Sequence, residues 1–219
     1  MPNYLKLIIN CLLVIISLLL IFYPEIDLFI ANYVYEKEQG FYLKNHPVAL
    51  FFHKLVPVLS YIVIATLLVS IIYFFLKKNE YLYKALYLTI CMALGPGLIV
   101  NTALKENMGR PRPNQIITFG GEKNFMPAWH YSNECKNNCS FVSGHASMGF
   151  YFTALSFISP SLRVSGMVIG ILLGIIFGIG RIAQGGHFVS DVFFSGLVVI
   201  LTNIIVYVIF KKKIKNFTS

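Results

Sequence analysis

The stretch SFVSGHASMGFYFTALSFI, Ser140–Ile158, carries two messages at once. From Phe141 on it holds no Lys, Arg, Asp or Glu, and its length is that of a helix crossing a bilayer core. Yet it begins with Ser143, Gly144 and His145. An ionisable residue at the mouth of an apolar run is costly beside lipid and usually faces an interior site.

The same apolar character recurs along the chain. Leu7–Tyr23, Leu55–Leu76, Ala85–Leu104, Val164–Gly180 and Phe188–Phe210 are nearly free of charge, and with Phe141–Ile158 they predict six spans. The composition agrees: 57% of the 219 residues are hydrophobic and 12% charged, against roughly a quarter charged in a soluble domain. Lipid leaves a spanning backbone no water to bond, so the spans read as helices. The chain is read as one all-α integral membrane domain, residues 1–219, without an internal repeat. Leu7–Tyr23 reads as an uncleaved span, because its apolar core exceeds that of a signal peptide and no small-x-small site follows.

The formal charge is +9. On a soluble chain this would suggest nucleic acid; here the cations lie in loops, and no nucleic-acid partner is expected. With the N-terminus in the cytoplasm, Lys6, Lys77, Lys78, Lys84, Arg163, Lys211, Lys212, Lys213 and Lys215 fall on the inner side in short segments. The opposite side holds as many basic residues, but over longer loops and beside most of the acids. The density favours both termini inside.

That topology sends the unusual polar residues to one face, the periplasmic one. Lys105, Arg110 and Arg112 follow the third span; Ser143, Gly144 and His145 open the fourth; Arg181 and His187 flank the turn before the sixth, and Asp191 lies just inside it. The outer segment Pro24–Lys54 ends in HPVALFFHK, which reads as lying along the interface. GPG at Gly95–Gly97 should kink or loosen the third span.

Four cations beside two histidines and one aspartate suit a multiply charged anion. Arginine forks match phosphate oxygens, and lysine adds a point charge. The amides of Ser143 and Gly144, at a helix N-terminus, would complete an anion site. An arginine alone at a membrane edge would be read as a headgroup contact; the whole set is not. His187 and Asp191 are four residues apart and share a helix face. A carboxylate on one imidazole nitrogen leaves the other free to attack, and a second histidine can protonate the leaving group. His46, His53 and His130 show no partner pattern and read as solvent or interface residues.

Cys11 and Cys91 fall within spans and read as packing residues. Cys135 and Cys139, in ECKNNCS, lie on the outer face. A disulfide is the favoured reading there, ahead of free thiols or a metal site, for which only His130 is near.

The motifs resemble those of the type 2 phosphatidic acid phosphatase superfamily: Lys-x6-Arg-Pro, then Pro-Ser-Gly-His, then Ser-Arg-x5-His-x3-Asp. Here they read KENMGRPRP (Lys105, Arg112, Pro113), VSGH (Val142–His145) and GRIAQGGHFVSD (Gly180–Asp191). The resemblance implies that His187 is the nucleophile, oriented by Asp191, and that His145 is the general acid. Lys105, Arg112, Arg181 and the Ser143–Gly144 backbone would bind the phosphate, with no metal and no cofactor. Val142 stands where the motif has Pro, and Gly180 where it has Ser. GPGLIVN, RPRPN and the Cys-x3-Cys-Ser-Phe-Val loop look most like the bacterial lipid A phosphatases within the superfamily, the 4′-phosphatase branch in particular.

The expected function is therefore a lipid phosphatase of a Gram-negative inner membrane. Its partner is a membrane lipid, most simply lipid A, with phosphatidylglycerophosphate or undecaprenyl pyrophosphate as alternatives. The rival from another class is a phosphate-binding lipid transporter. A polar path across the bilayer would mark that rival, whereas here the polar residues gather at one end.

Overall fold

The computed structural model describes residues 3–215; the side chains of Lys6 and Lys215, counted above among the inner cations, lie outside the described set. The described residues are mostly helical. Helix α1 (Asn3–Phe22) is followed by α2 (Glu25–Asn32), bent from it by 87° after Pro24. A hairpin of two-residue strands, β1 (Tyr35–Glu36) and β2 (Gly40–Phe41), leads to α3 (Pro47–Leu76). Helix α4 (Leu82–Met92) runs on as a π-helix over Ala93–Leu104 and ends in the short α5 (Lys105–Asn107). A long, largely irregular segment, 108–143, then leads to α6 (Gly144–Tyr151), which continues as a 3-10 helix over Phe152–Phe157. Helices α7 (Arg163–Ala183) and α8 (Val189–Lys215) complete the bundle.

Among the described residues four helical segments are long and apolar enough to cross a membrane: Pro47–Leu76, Leu82–Asn107, Pro160–Ala183 and Val189–Ile214. A fifth is present if the bent α1–α2 pair is one span. The expected span Phe141–Ile158 is not of this kind. Its helix starts only at Gly144, because Ser143 is the N-cap and accepts a hydrogen bond from the Ala146 amide. At the usual rises α6 and its 3-10 continuation cover only ~24 Å. The segment instead forms the centre of the bundle: Ala146 to Tyr151 are all buried. Helix α7 lies against it closely enough that a side chain on Gly149 would strike the backbone of Leu173 and Gly174, as small residues permit between membrane helices.

Two other expectations meet the structure differently. GPG does loosen its helix: the turn around Pro96 widens to π winding, and Asn101 Nδ2 donates to the Pro96 carbonyl at 2.7 Å. HPVALFFHK, in contrast, does not lie along an interface. It is the start of α3, with His46 as N-cap and Pro47 in the first turn, where a missing N–H costs nothing. This correction carries His53 into the bundle.

Candidate active site

The N-terminal ends of α3, α6 and α8 and the C-terminal ends of the π-helix and α7 converge on one cluster. Asp191 sits in the first turn of α8, fully buried, and both its oxygens are engaged. Oδ1 accepts from Arg110 Nη1 at 2.6 Å; Oδ2 accepts from Ser140 Oγ and from the Phe188 amide at 2.8 Å. His187, in the turn before α8, is 1% exposed, and its Nδ1 lies 3.5 Å from Asp191 Oδ2. That is ion-pair range but long for a hydrogen bond, and Nδ1 has no hydrogen-bond partner among the described residues. Such contacts often tighten only when substrate arrives. Burial holds the His187 imidazole at a pKa of about 4, with Asp191 opposing the shift and Arg181 and Arg112 adding to it. The ring is therefore neutral near pH 7.

Facing it is the start of α6. The first amides of a helix have no acceptor within it. Ala146 N–H is taken by Ser143 Oγ, and Ser143 N–H by the Asp191 carbonyl at 3.2 Å. The amides left for an anion are those of Gly144 and His145, so the expected Ser143–Gly144 pair shifts by one residue. At position 144 a Cβ would fall 2.6 Å from Asn101 Oδ1, so any larger residue would have to push the Asn101 amide aside.

Three cations surround this point. Arg181, buried at the end of α7, donates through Nη1 to His53 Nδ1 at 3.0 Å and to Gln184 Oε1. Glycine at 186 is needed to admit its guanidinium. Arg112 is half-buried, and its Nη2 donates to the Asn138 carbonyl at 2.8 Å. Burial lowers its pKa, with Asp191 opposing. Asn138 lies within the loop closed by the Cys135–Cys139 disulfide. Lys105, half-buried, stands in electrostatic contact with both arginines. Arg110, counted with these cations in the sequence but not among the expected phosphate ligands, faces carboxylates instead. Its guanidinium is engaged by Asp191 and Asp27.

His145 is half-buried within electrostatic reach of His187 and Arg181. Its Nε2 lies 3.3 Å from the His53 carbonyl. His53 itself was read from the sequence as a solvent or interface residue. It is instead a wall of the site, because α3 begins eight residues before the expected span. Asp27 and Gln184 were also missed. The signal for Asp27 was a lone acid amid the apolar Ile26–Ala31; Gln184 and His53 carried none that stood out. At Gly180, where the family motif has Ser, the nearest atom to an added Cβ is Phe52 Cβ at 4.0 Å, so the missing hydroxyl leaves open space rather than a filled one.

A buried imidazole beside a carboxylate, a second imidazole, three cations and two helix amides without a partner among the described residues make an arrangement chemically suited to transfer of a phosphoryl group. Residues 84–215 match the PAP2 superfamily. The chain belongs to that superfamily and is a phosphatase, a phosphoric monoester hydrolase; enzymes of this family act without a metal ion. It is 30% identical over 197 residues to the lipid A 4′-phosphatase of Francisella tularensis subsp. novicida, a match spanning 87% of this chain and 89% of that one. It is 42% identical over 102 residues to the lipid A 4′-phosphatases of Rhizobium etli and Rhizobium leguminosarum, across 46% of this chain and 40% and 44% of theirs. No solved structure matches the chain.

Proposed function

We propose that this protein removes a phosphate monoester from lipid A at the periplasmic face of the inner membrane, through a phosphohistidine on His187. The observation that carries this reading is the meeting of His187, His145, Lys105, Arg112 and Arg181 at one end of the bundle. The named activity of the relatives supports the substrate, in particular that of the Francisella enzyme, whose similarity runs over nearly the whole chain.

Asp191 faces His187 Nδ1 and leaves Nε2 to attack phosphorus. The P–O bond to the sugar breaks, an N–P bond forms, and His145, entering as the imidazolium beside the bound phosphate dianion, donates a proton to the departing alkoxide and becomes neutral. Water then attacks the phosphohistidine. His145 takes the proton from that water, and inorganic phosphate leaves with His187 restored. Lys105, Arg112, Arg181 and the Gly144 and His145 amides stabilise charge on the transferring phosphoryl. The chain acts as one domain with six crossings, the central one short, and with both termini in the cytoplasm; the density of inner cations supports this.

Purified full-length protein should release phosphate from lipid A in preference to phosphatidylglycerophosphate and undecaprenyl pyrophosphate. Release from none of the three would sink the reading and favour a transporter. Impermeant thiol reagents should label Asn114→Cys from outside and Lys78→Cys only after permeabilisation; the reverse would invert the topology.

A further inference from the structure

A buried ion cluster ties the first outer helix to the site. Asp27 on α2 is 1% exposed, and Arg110 0%. Arg110 Nη2 donates to Asp27 Oδ2 at 2.7 Å, while Nη1 donates to Asp191 Oδ1 at 2.6 Å. Its Nε donates to the Met126 carbonyl at 2.8 Å, and the Phe188 ring covers the guanidinium at 4.4 Å. Ser190, the residue before Asp191, braces the join. Its amide donates to Asp27 Oδ1 at 2.9 Å, and its hydroxyl donates to Asp27 Oδ2 at 2.6 Å and accepts from Arg110 Nη1 at 2.8 Å. Burial opposes the charge on Arg110, but Asp191 and Asp27 outweigh it and raise its pKa.

One cation therefore serves two carboxylates. Paired with Asp191 alone, Arg110 would form a neutral couple and cancel the charge that His187 needs beside it. When Asp27 is ionised and shares the guanidinium, the cluster keeps one net negative charge, and Asp191 is the member that faces the histidine.

We propose that Asp27 and Arg110 are positioning residues of the hydrolytic site. Arg110 fixes Asp191 through Oδ1 so that Oδ2 meets His187, and Asp27 offsets the guanidinium so that Asp191 acts on His187 as an anion. This rests on the reading of His187 as nucleophile. It also adds the N-terminal segment to the working enzyme, since Asp27 lies outside the residues matched to the superfamily, 84–215.

The test uses full-length Asp27→Asn, Arg110→Gln, the double variant and Ser190→Ala in detergent. It reads kcat and KM on lipid A, inhibition by inorganic phosphate, and the folded fraction. Asp27→Asn should lower kcat about 10–100-fold, the usual effect of losing a group that orients a reacting one. KM and phosphate inhibition should stay near wild type, because the cradle is untouched. The double variant removes both charges and leaves that of Asp191, so it should turn over faster than Arg110→Gln alone. A purely structural tie would make the double variant at least as slow as the worse single one. That result overturns the proposal, as does wild-type kcat per folded molecule in Asp27→Asn. If Asp27→Asn does not fold, Ser190→Ala decides: lowered kcat at unchanged KM supports the proposal, and unchanged kcat overturns it. A wild type without turnover on any lipid overturns the phosphatase reading itself; an active wild type with an indifferent Asp27 overturns only this inference.

Discussion

The imidazole of His53 lies flat against that of His145, ring centroids 4.9 Å apart and planes 17° from parallel. An arginine can only donate, so the 3.0 Å contact from Arg181 Nη1 makes His53 Nδ1 an acceptor and places the proton of the neutral ring on Nε2. One side chain of α3 thus braces both the proposed general acid and a phosphate-binding arginine. His53→Ala should lower kcat/KM on lipid A by about 10–100-fold, the effect expected when reacting groups lose their supports. Steady-state kinetics of the folded variant checks this; an unchanged value would return His53 to a packing role.

The two histidines of the motifs should separate by leaving group. His187→Ala should abolish turnover and any base-stable, acid-labile phosphoenzyme captured by rapid alkaline quench with ³²P-labelled lipid. His145→Ala should slow lipid hydrolysis by roughly 10²–10⁴-fold, the share of general acid catalysis. It should spare p-nitrophenyl phosphate, whose leaving group needs little protonation. Label found on His145 would reverse the roles.

The acid limb of the pH profile should lie low. His187 attacks as the neutral ring, and burial holds its pKa at about 4, against Asp191 and with Arg181 and Arg112. Protonation removes the nucleophile, so kcat/KM should not fall as pH drops through 6.5, and the loss due to His187 should come only as pH nears 4. A profile of kcat/KM against pH for protein that remains folded reads this directly. A half-maximal point between 6 and 7 would show that His187 is better solvated than its position in the bundle implies.

The disulfide loop should matter to binding as well as to stability. Cys135 and Cys139 close the short turn that offers the Asn138 carbonyl to Arg112. Replacing both by serine should cost about 2 kcal/mol by the loop-entropy argument. It should also raise KM more than it lowers kcat, since Arg112 holds phosphate and does not react. Thermal unfolding and kinetics measure the two effects, and mass spectrometry of unreduced peptide verifies the bridge. Equal KM in the presence and absence of reductant would separate the loop from the site.

Much of this was legible in the chain itself. Long charge-free blocks specify membrane helices whatever the rest of the fold does, because lipid offers the backbone no other partner. GPG specifies a loosened helix because proline lacks an N–H. The spacing of His187 and Asp191 specifies one helix face, and three motifs fell at one end of the bundle by counting spans alone. The tertiary structure decided the rest. Whether Phe141–Ile158 faces lipid or is sheathed by other helices depends on what packs around it, and α7 packs against Gly149. Which cations face phosphate and which face carboxylates depends on side chains brought together from far apart in sequence. Arg110 and Arg112 are two residues apart and serve opposite partners, because Asp27 lies 83 positions from the first and is folded onto it. His53 joined the site for the same reason: local sequence sets where a helix begins, but only packing sets what its side chains meet.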